Sequence, residues 1–187
     1  MSKISLNKAG IKASFRRLCF CCLFFFLLHS GLQAQKISKY YSSSIQENGI
    51  LYFIEGREGF KTDKKDKFLY DLTYLSTNDS LTLNFTIYNA EVLRVEQMEL
   101  KGSSIHTSSP VSKIFVKDDG KGWEHRYTST FSFKDLQEFY SSETAMFIIQ
   151  TKKHGQILLQ PKARKWKKQA SIFSRIFQMI VANRVED

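Results

Sequence analysis

Cysteine is almost absent from this 187-residue sequence, and the few cysteines present are confined to one place. All three, Cys19, Cys21 and Cys22, lie in an apolar run near the N-terminus. The chain beyond that run can therefore form no disulfide, provide no thiolate nucleophile and hold no cysteine-based zinc ion. Such a domain depends on its own hydrophobic core, and the roughly 150 residues that follow the run are enough for one core.

Histidines and known catalytic motifs are also scarce. The four histidines are His29, His106, His125 and His154. They are far apart and lack the spacing of metal ligands, and the sequence has neither a glycine-rich phosphate loop nor a Gly-x-Ser-x-Gly motif. His125, flanked at a spacing of two by Trp123 and Tyr127, is more typical of a packed histidine than of a catalytic one. We therefore predict no catalytic residue, no metal site and no cofactor.

Two groups of residues suggest binding sites, but turn and strand patterns explain them more simply. Asp118–Asp119 and Glu124 could hold a calcium ion, although the Asp-Gly step that follows is typical of a turn. Trp123, Tyr127 and Phe131 would stack on a sugar if they faced water. Because they alternate with polar residues along one strand, we expect them to lie in the core.

Residues 1–34 have the order of a secretory signal peptide. The basic leader consists of Lys3, Lys8, Lys12, Arg16 and Arg17. The apolar run Cys19–Leu28 follows, and a more polar end leads to Ala34. The run is far shorter than the roughly 20 residues of a membrane-spanning helix, so we predict cleavage after Ala34 and no transmembrane helix in the mature chain. The leader resembles the signals of exported proteins of Gram-negative bacteria, which implies the periplasm, the cell surface or an outer-membrane-associated location.

The positive charge is concentrated at the two ends of the chain. The whole sequence has a formal net charge of +10, but residues 1–34 contribute five Lys/Arg and no acid, which leaves +5 for residues 35–187. Residues 152–187 hold nine Lys/Arg against two acids, so the body before them is slightly acidic. An exported protein with a basic tail is expected to meet an anionic surface rather than a nucleic acid.

Alternation of apolar and polar residues predicts two antiparallel hairpins. Lys67–Asn89 contains two alternating runs joined by the polar turn Ser76–Ser80. Val111–Lys117 and Trp123–Phe133 form a second pair around Asp118–Gly122, which is a strong turn signal. The sequence therefore indicates a sheet of neighbouring antiparallel strands.

The remaining segments favour further short strands. We predict strands at Ile50–Ile54, Val95–Lys101, Thr144–Thr151 and Gln156–Gln160, loops at Gly56–Lys67 and Ser103–Pro110, and one or two helical turns at Lys134–Tyr140. The predicted fold is mainly β: an antiparallel β-sandwich, or incomplete barrel, of about seven or eight short strands with a C-terminal amphipathic helix. The predicted organisation is a signal peptide (1–34), a loosely held polar lead-in (35–49), a sandwich domain (50–160) and a basic helix packed on it (161–187).

The C-terminal helix has a broad apolar face. Apolar residues recur in steps of three and four at Trp166, Ala170, Phe173, Phe177 and Ile180. Basic residues crowd the N-terminal end of this helix, where the helix dipole disfavours cations. Stability alone would not choose that arrangement. Solubility is the simpler explanation, and contact with an anionic surface is the functional one.

We predict a non-enzymatic binding module of the cell envelope that uses the basic helix as its contact surface. The candidate binding residues are Lys162, Arg164, Lys165, Trp166, Lys167 and Lys168. Candidate partners are an anionic membrane surface, lipopolysaccharide or another envelope protein. A small carrier of an apolar ligand is the first alternative, and a hydrolase that uses His125 with nearby acids is the second.

Overall fold

The computed structural model describes residues 37–61 and 67–184. Side chains are described for 37–56 and 68–184. The predicted signal peptide and the loop residues 62–66 lie outside this part of the chain. From Tyr40 onward the described residues belong to one compact unit.

The described residues form nine strands and two α-helices, preceded by a short 3₁₀ helix at Ser38–Tyr40. In chain order the elements are β1 (Tyr41–Gln46), β2 (Gly49–Lys61), β3 (Lys67–Leu75), β4 (Ser80–Asn89), β5 (Val95–Gly102), β6 (His106–Asp118), β7 (Trp123–Ser132), α1 (Phe133–Ser141), β8 (Ala145–Thr151), β9 (Gly155–Leu159) and α2 (Ala163–Ala182).

All nine strands belong to one antiparallel sheet in the order β1-β2-β3-β4-β7-β6-β5-β8-β9. The sheet is not closed, so β1 and β9 are its two edges. The predicted fold class is therefore confirmed. The expected eight strands are all present, and β1 is the ninth.

Strand β6 turns the corner of the sheet. Its first half, up to Pro110, pairs with β5, whereas Val111 and the residues after it pair with β7. Proline has no backbone N–H, so it fits where a strand leaves one neighbour for another. Because of this corner the two halves of the sheet face each other, and the ring of Phe147 on β8 lies 5.6 Å from Phe68 and 5.3 Å from Tyr70 on β3.

The core lies between these inner faces and contains the apolar residues that the alternation along the strands predicted to be buried. The buried residues on the inner faces of β3, β4 and β7 are Phe68, Tyr70, Leu72, Tyr74, Leu81, Leu83, Phe85, Ile87, His125, Tyr127, Ser129 and Phe131. Tyr127 and Phe131 of the aromatic row of β7 are thus core, as predicted, whereas Trp123 at the start of the strand is half-buried.

Helix α1 begins directly after β7, with Ser132 as its N-cap. The Ser132 hydroxyl accepts a hydrogen bond from the Asp135 N–H at 3.0 Å, and Asp135 places a negative charge in the first turn. Its buried face carries Phe139 and Tyr140, against which α2 packs.

Helix α2 covers the open side of the inner face, as the width of its apolar stripe required. Its buried residues are Trp166, Gln169, Phe173, Ile176, Phe177 and Ile180. The Phe173 ring stacks on Tyr140 with centroids 4.3 Å apart, and Phe177 contacts Phe133 edge-on at 5.3 Å. Burying each such side chain stabilises the fold by about 1.5–3 kcal/mol relative to leaving it exposed.

Three segments differ from the sequence-based expectation. Residues 41–46, expected in a loose lead-in, form edge strand β1. Residues 56–61, expected in a loop, extend β2 through an irregularity after Gly56. Gly56 lies against the Tyr70 ring, where a Cβ atom would come within 2.5 Å of it. Residues 106–110, also expected in a loop, are the first half of β6.

Candidate functional site

The candidate surface begins where α2 leaves the end of β9. Lys162 is the N-cap residue, and its side chain makes no capping hydrogen bond. The first turn holds no acidic residue, and no Asp or Glu occurs between residues 161 and 184. A helix N-terminus carries a partial positive charge, so cations placed there are disfavoured by about 0.3–1 kcal/mol each before screening.

Five of the six predicted binding residues form an exposed basic surface on the first turns of α2. They are Lys162, Arg164, Lys165, Lys167 and Lys168. At about 100° per residue, Arg164 and Lys168 point along one line of the helix, with Lys165 and Lys167 on either side. Arg175 lies further along that line and is also exposed. We call these residues of α2 and its N-cap the basic surface.

Trp166 does not belong to the basic surface, which corrects the sequence-based assignment. The side chain is only 2% exposed, and its indole N–H donates to the Ser142 carbonyl at 2.8 Å. The ring packs on Tyr140 at 5.5 Å and on Phe139 at 5.3 Å. Trp166 faces inward while its neighbours face outward, so it anchors the basic surface and cannot contact a partner.

A second anchor of α2 is a buried polar cluster around Tyr70. The Tyr140 hydroxyl donates to the Tyr70 oxygen at 2.8 Å, and the Gln169 side-chain amide N–H donates to the same oxygen. Gln169 is 3% exposed, and its Oε1 has no hydrogen-bond partner within the described part of the chain. Burial raises the pKa of Tyr70 and of Tyr140 well above the usual range, so both hydroxyls stay protonated.

The third anchor lies at the opposite end of α2. The Arg184 Nε donates to the Tyr74 hydroxyl oxygen at 3.0 Å, and the guanidinium carbon lies 4.4 Å from the centroid of the Phe133 ring. Burial is the main cause of a raised pKa of Tyr74. With anchors at Trp166, Gln169 and Arg184, the helix presents the basic surface from a fixed support.

A cleft of about 440 Å³ adjoins this last anchor. It is lined by Asn48, Gly49, Ile50, Ser76, Thr77, Asn78, Asp79, Asn183 and Arg184. The two turns in its wall are locked together, because Ser76 exchanges hydrogen bonds with Ile50 at 2.9 Å and Thr77 donates to the Asn48 carbonyl at 2.9 Å. Sequence reasoning missed the cleft because its residues come from two turns and a helix end that no local pattern connects.

His125 is a core residue, as expected, and is positioned for structure rather than catalysis. Its side chain is 0% exposed, and Nε2 accepts a hydrogen bond from the Leu93 N–H at 2.8 Å. The Tyr127 hydroxyl donates to the Leu93 carbonyl at 2.7 Å, so the two side chains clamp both polar groups of one connector residue. Burial lowers the pKa of His125. A group enclosed in this way cannot reach a substrate.

The acidic residues of the β6–β7 turn serve the turn itself. Asp118 Oδ1 accepts from the Gly120 N–H at 2.7 Å, and Asp119 Oδ1 accepts from the Lys121 N–H at 3.0 Å. Glu124 pairs with the Lys117 ammonium at 3.1 Å. Within residues 37–61 and 67–184, no group of three or more His, Cys, Asp or Glu side chains could hold a metal ion.

One ion pair lies on the outer face of β5 and β6. Glu99 Oε2 is 2.8 Å from His106 Nε2, and Glu99 Oε1 accepts from the Gln150 amide at 2.5 Å. The Gln150 hydrogen bond, followed by that of His106, lowers the pKa of Glu99. Because His106 is largely exposed, solvent screening keeps the contribution of this pair to stability small.

In comparisons with known proteins, no family model, no curated protein and no solved structure matches the chain. Across the described ranges, neither helix is long and apolar enough to cross a membrane. Any functional assignment therefore rests on the geometry of the sites above.

Proposed function

We propose that this chain is an exported, non-enzymatic cell-envelope protein whose folded domain binds an anionic surface through the basic surface of α2. The ligand chemistry is a dense array of phosphate groups, as on anionic phospholipid headgroups or the lipid end of lipopolysaccharide. Export rests on the order of residues 1–34, and the binding role rests on α2.

The observation that carries the proposal is the position of the charges relative to the helix. Five cations are exposed at the positive end of the helix dipole, and α2 itself contains no acidic residue. Stability would be served better by Asp or Glu at these positions. An array of phosphates supplies the compensating negative charge, at about 1 kcal/mol of attraction per basic residue close to the surface.

The interior of the domain supports a surface-binding role over the alternatives. The space between α2 and the sheet is occupied by aromatic rings, since the Phe173 ring of α2 lies 6.3 Å from the Tyr70 ring of β3, which is unfavourable for an apolar ligand carried there. His125, the residue on which a hydrolase would depend, is enclosed in the core. The residues of the basic surface, by contrast, are exposed.

The test is vesicle binding by the exported protein. The protein is recovered from the periplasm of an expression host, and its N-terminal residue is identified. It is then sedimented with vesicles of phosphatidylcholine alone or of phosphatidylcholine mixed with phosphatidylglycerol. Vesicles that carry lipopolysaccharide form a third arm and distinguish the two phosphate sources. We expect an N-terminus at Gln35 and binding only to the anionic vesicles, weakening as salt is raised.

The decisive variant carries Arg164→Glu and Lys167→Glu, which reverse the charge at two positions of the basic surface. At about 1 kcal/mol per basic residue, binding should weaken roughly 30-fold or more. The control Lys113→Glu with Lys121→Glu changes the net charge equally on the exposed β6–β7 hairpin and should bind like the wild type. Binding that both double variants reduce equally would mean that only net charge matters, and absence of binding to any anionic vesicle would reject the proposal.

A further inference from the structure

Among the residues that the structure describes, edge strand β1 (Tyr41–Gln46) pairs with β2 alone. It forms a regular antiparallel register with β2, from Tyr41 opposite Ile54 to Gln46 opposite Gly49, and it is the last strand of the open sheet. Five of its six residues are exposed. Its outward edge is thus available to another strand.

The hydrogen bonds of β2 show which groups of β1 point to that free edge. Ile50 donates its N–H to Ser76 Oγ and accepts from the Ser76 N–H, both at 2.9 Å, so its backbone groups point away from β1. Ile45, which lies opposite Ile50, therefore forms a non-hydrogen-bonded pair with it. The N–H and C=O of Ile45 consequently point outward, and the alternation of a strand gives Ser43 and Tyr41 the same direction.

This edge lacks the features that normally keep sheet edges apart. Edge strands usually carry a charge, a proline or a bulge that prevents pairing with another chain. The sequence YSSSIQ contains neither a charged residue nor proline, and its register with β2 is uninterrupted. The side chain of Ile45 is moreover 87% exposed, the largest exposed fraction among the bulky apolar residues of the described chain.

The edge is complementary to itself when the β1 strands of two copies pair antiparallel with Ser43 at the centre of the pairing. Ser43 then faces its own counterpart, and the outward backbone groups of Tyr41, Ser43 and Ile45 meet those of Ile45, Ser43 and Tyr41 of the second copy. Each such pair exchanges both N–H···O bonds. Tyr41 of each copy also lies directly opposite Ile45 of the other, which is a favourable aromatic and β-branched cross-strand pair.

We propose that the chain forms a symmetric dimer by antiparallel pairing of β1 with β1 of a second copy, so that one sheet runs through both protomers. The contact is two-fold and isologous, and the absence of charge on β1 means that the two copies do not repel each other there. A single short strand pair buries little area, so the dimer is a weak one that forms in the micromolar range or above. The dimer goes beyond the binding role of α2 and does not depend on it.

The test compares two substitutions at Ser43 by sedimentation velocity over a range of concentrations. Ser43→Pro removes an outward N–H and directs the proline ring at the partner strand, while the hydrogen bonds between β1 and β2 are kept. Ser43→Ala loses the same hydroxyl but keeps the N–H. We expect a concentration-dependent dimer for the wild type and Ser43→Ala, and a dissociation constant at least about tenfold higher for Ser43→Pro.

A cross-link tests the register independently of the proline variant. In protein beginning at Gln35, which has no cysteine of its own, a short bismaleimide should join Ser43→Cys to itself but not Ser112→Cys, an exposed serine on β6. A wild type that stays monomeric up to about 1 mM would overturn the proposal, since even weak interfaces assemble there. A Ser43→Pro variant that dimerises like Ser43→Ala, or a Ser43→Cys variant that does not cross-link, would also overturn it.

Discussion

Mild acid should destabilise this fold through one histidine. His125 is 0% exposed, and its Nε2 must be unprotonated to accept the hydrogen bond from Leu93 N–H. Protonation would place a second proton in that contact and a charge in the core. Because burial lowers the pKa of His125 in the folded state, the unfolded chain takes up this proton at a higher pH than the folded chain does.

The sign and size of the effect follow from proton linkage. Between the lowered pKa of the folded state and the ordinary value of 6.5, the unfolded state holds one proton more than the folded state. The contribution of His125 to the free energy of unfolding should therefore be constant above about pH 7 and fall below about 6.5, by at most about 1.4 kcal/mol per pH unit. The fall continues until the pH passes the lowered pKa of His125.

The assay is urea unfolding of the protein at half-unit steps from pH 7.5 to pH 5, read by circular dichroism. His125→Gln is the control, because glutamine does not titrate and its Oε1 can accept from Leu93. The carboxylate of Glu99 does not interfere, since its pKa is lowered and its contribution is lost only below the ordinary value of 4.5. Equal slopes for wild type and His125→Gln, or a flat wild-type profile, would refute the assignment of the acid response to His125.

Two further predictions concern the anchors of α2. Tyr70→Phe leaves the buried Tyr140 hydroxyl and the Gln169 amide without their shared acceptor, and should lower the free energy of unfolding by about 1–3 kcal/mol. Gln169→Leu should lower the free energy of unfolding by less, because it also removes an Oε1 atom that has no partner in the described chain. Trp166→Phe removes the hydrogen bond to the Ser142 carbonyl and should cost a similar amount in urea unfolding. Vesicle binding by Trp166→Phe should nevertheless equal that of the wild type, and a specific loss of binding would return Trp166 to the contact surface.

The segments that the sequence predicted well are those with one buried face. Each of these elements, the hairpins β3–β4 and β6–β7 and the helix α2, has one buried side and one solvated side. Such an element shows apolar residues at a period of two in a strand or 3.6 in a helix, and this period indicates which side is buried. Their boundaries agree with the prediction to within a few residues, apart from the first half of β6. Fold class followed directly, because seven or more short strands with turn signals between them leave few other arrangements.

The segments that the sequence did not predict either have no buried face or owe their structure to residues far away in the sequence. Strand β1 is exposed on both sides, so its residues carry no alternation, and only pairing with β2 makes it a strand. Gln169 lies within the buried stripe of α2, yet its polar side chain predicts an exposed position. Its burial depends on Tyr70, which is 99 positions away in the sequence. Trp166 was grouped with the basic residues for a related reason: it stands among them in the sequence, and the sequence there does not say which side chain faces the core.

The inward position of Trp166 also explains why the basic surface can exist. Trp166 and Gln169 fix the rotation of α2, and this rotation turns Arg164, Lys167 and Lys168 to solvent. Burial of rings such as Trp166 and Phe173 contributes about 1.5–3 kcal/mol each, which exceeds the 0.3–1 kcal/mol by which each cation at the helix N-terminus is disfavoured. The fold can therefore tolerate a charge arrangement that its own stability opposes. Arg164→Glu with Lys167→Glu should accordingly unfold at a slightly higher urea concentration while it binds anionic vesicles more weakly. If the same variant proved less stable than the wild type, the cations would have a structural role, and the argument from their position to a binding surface would fail.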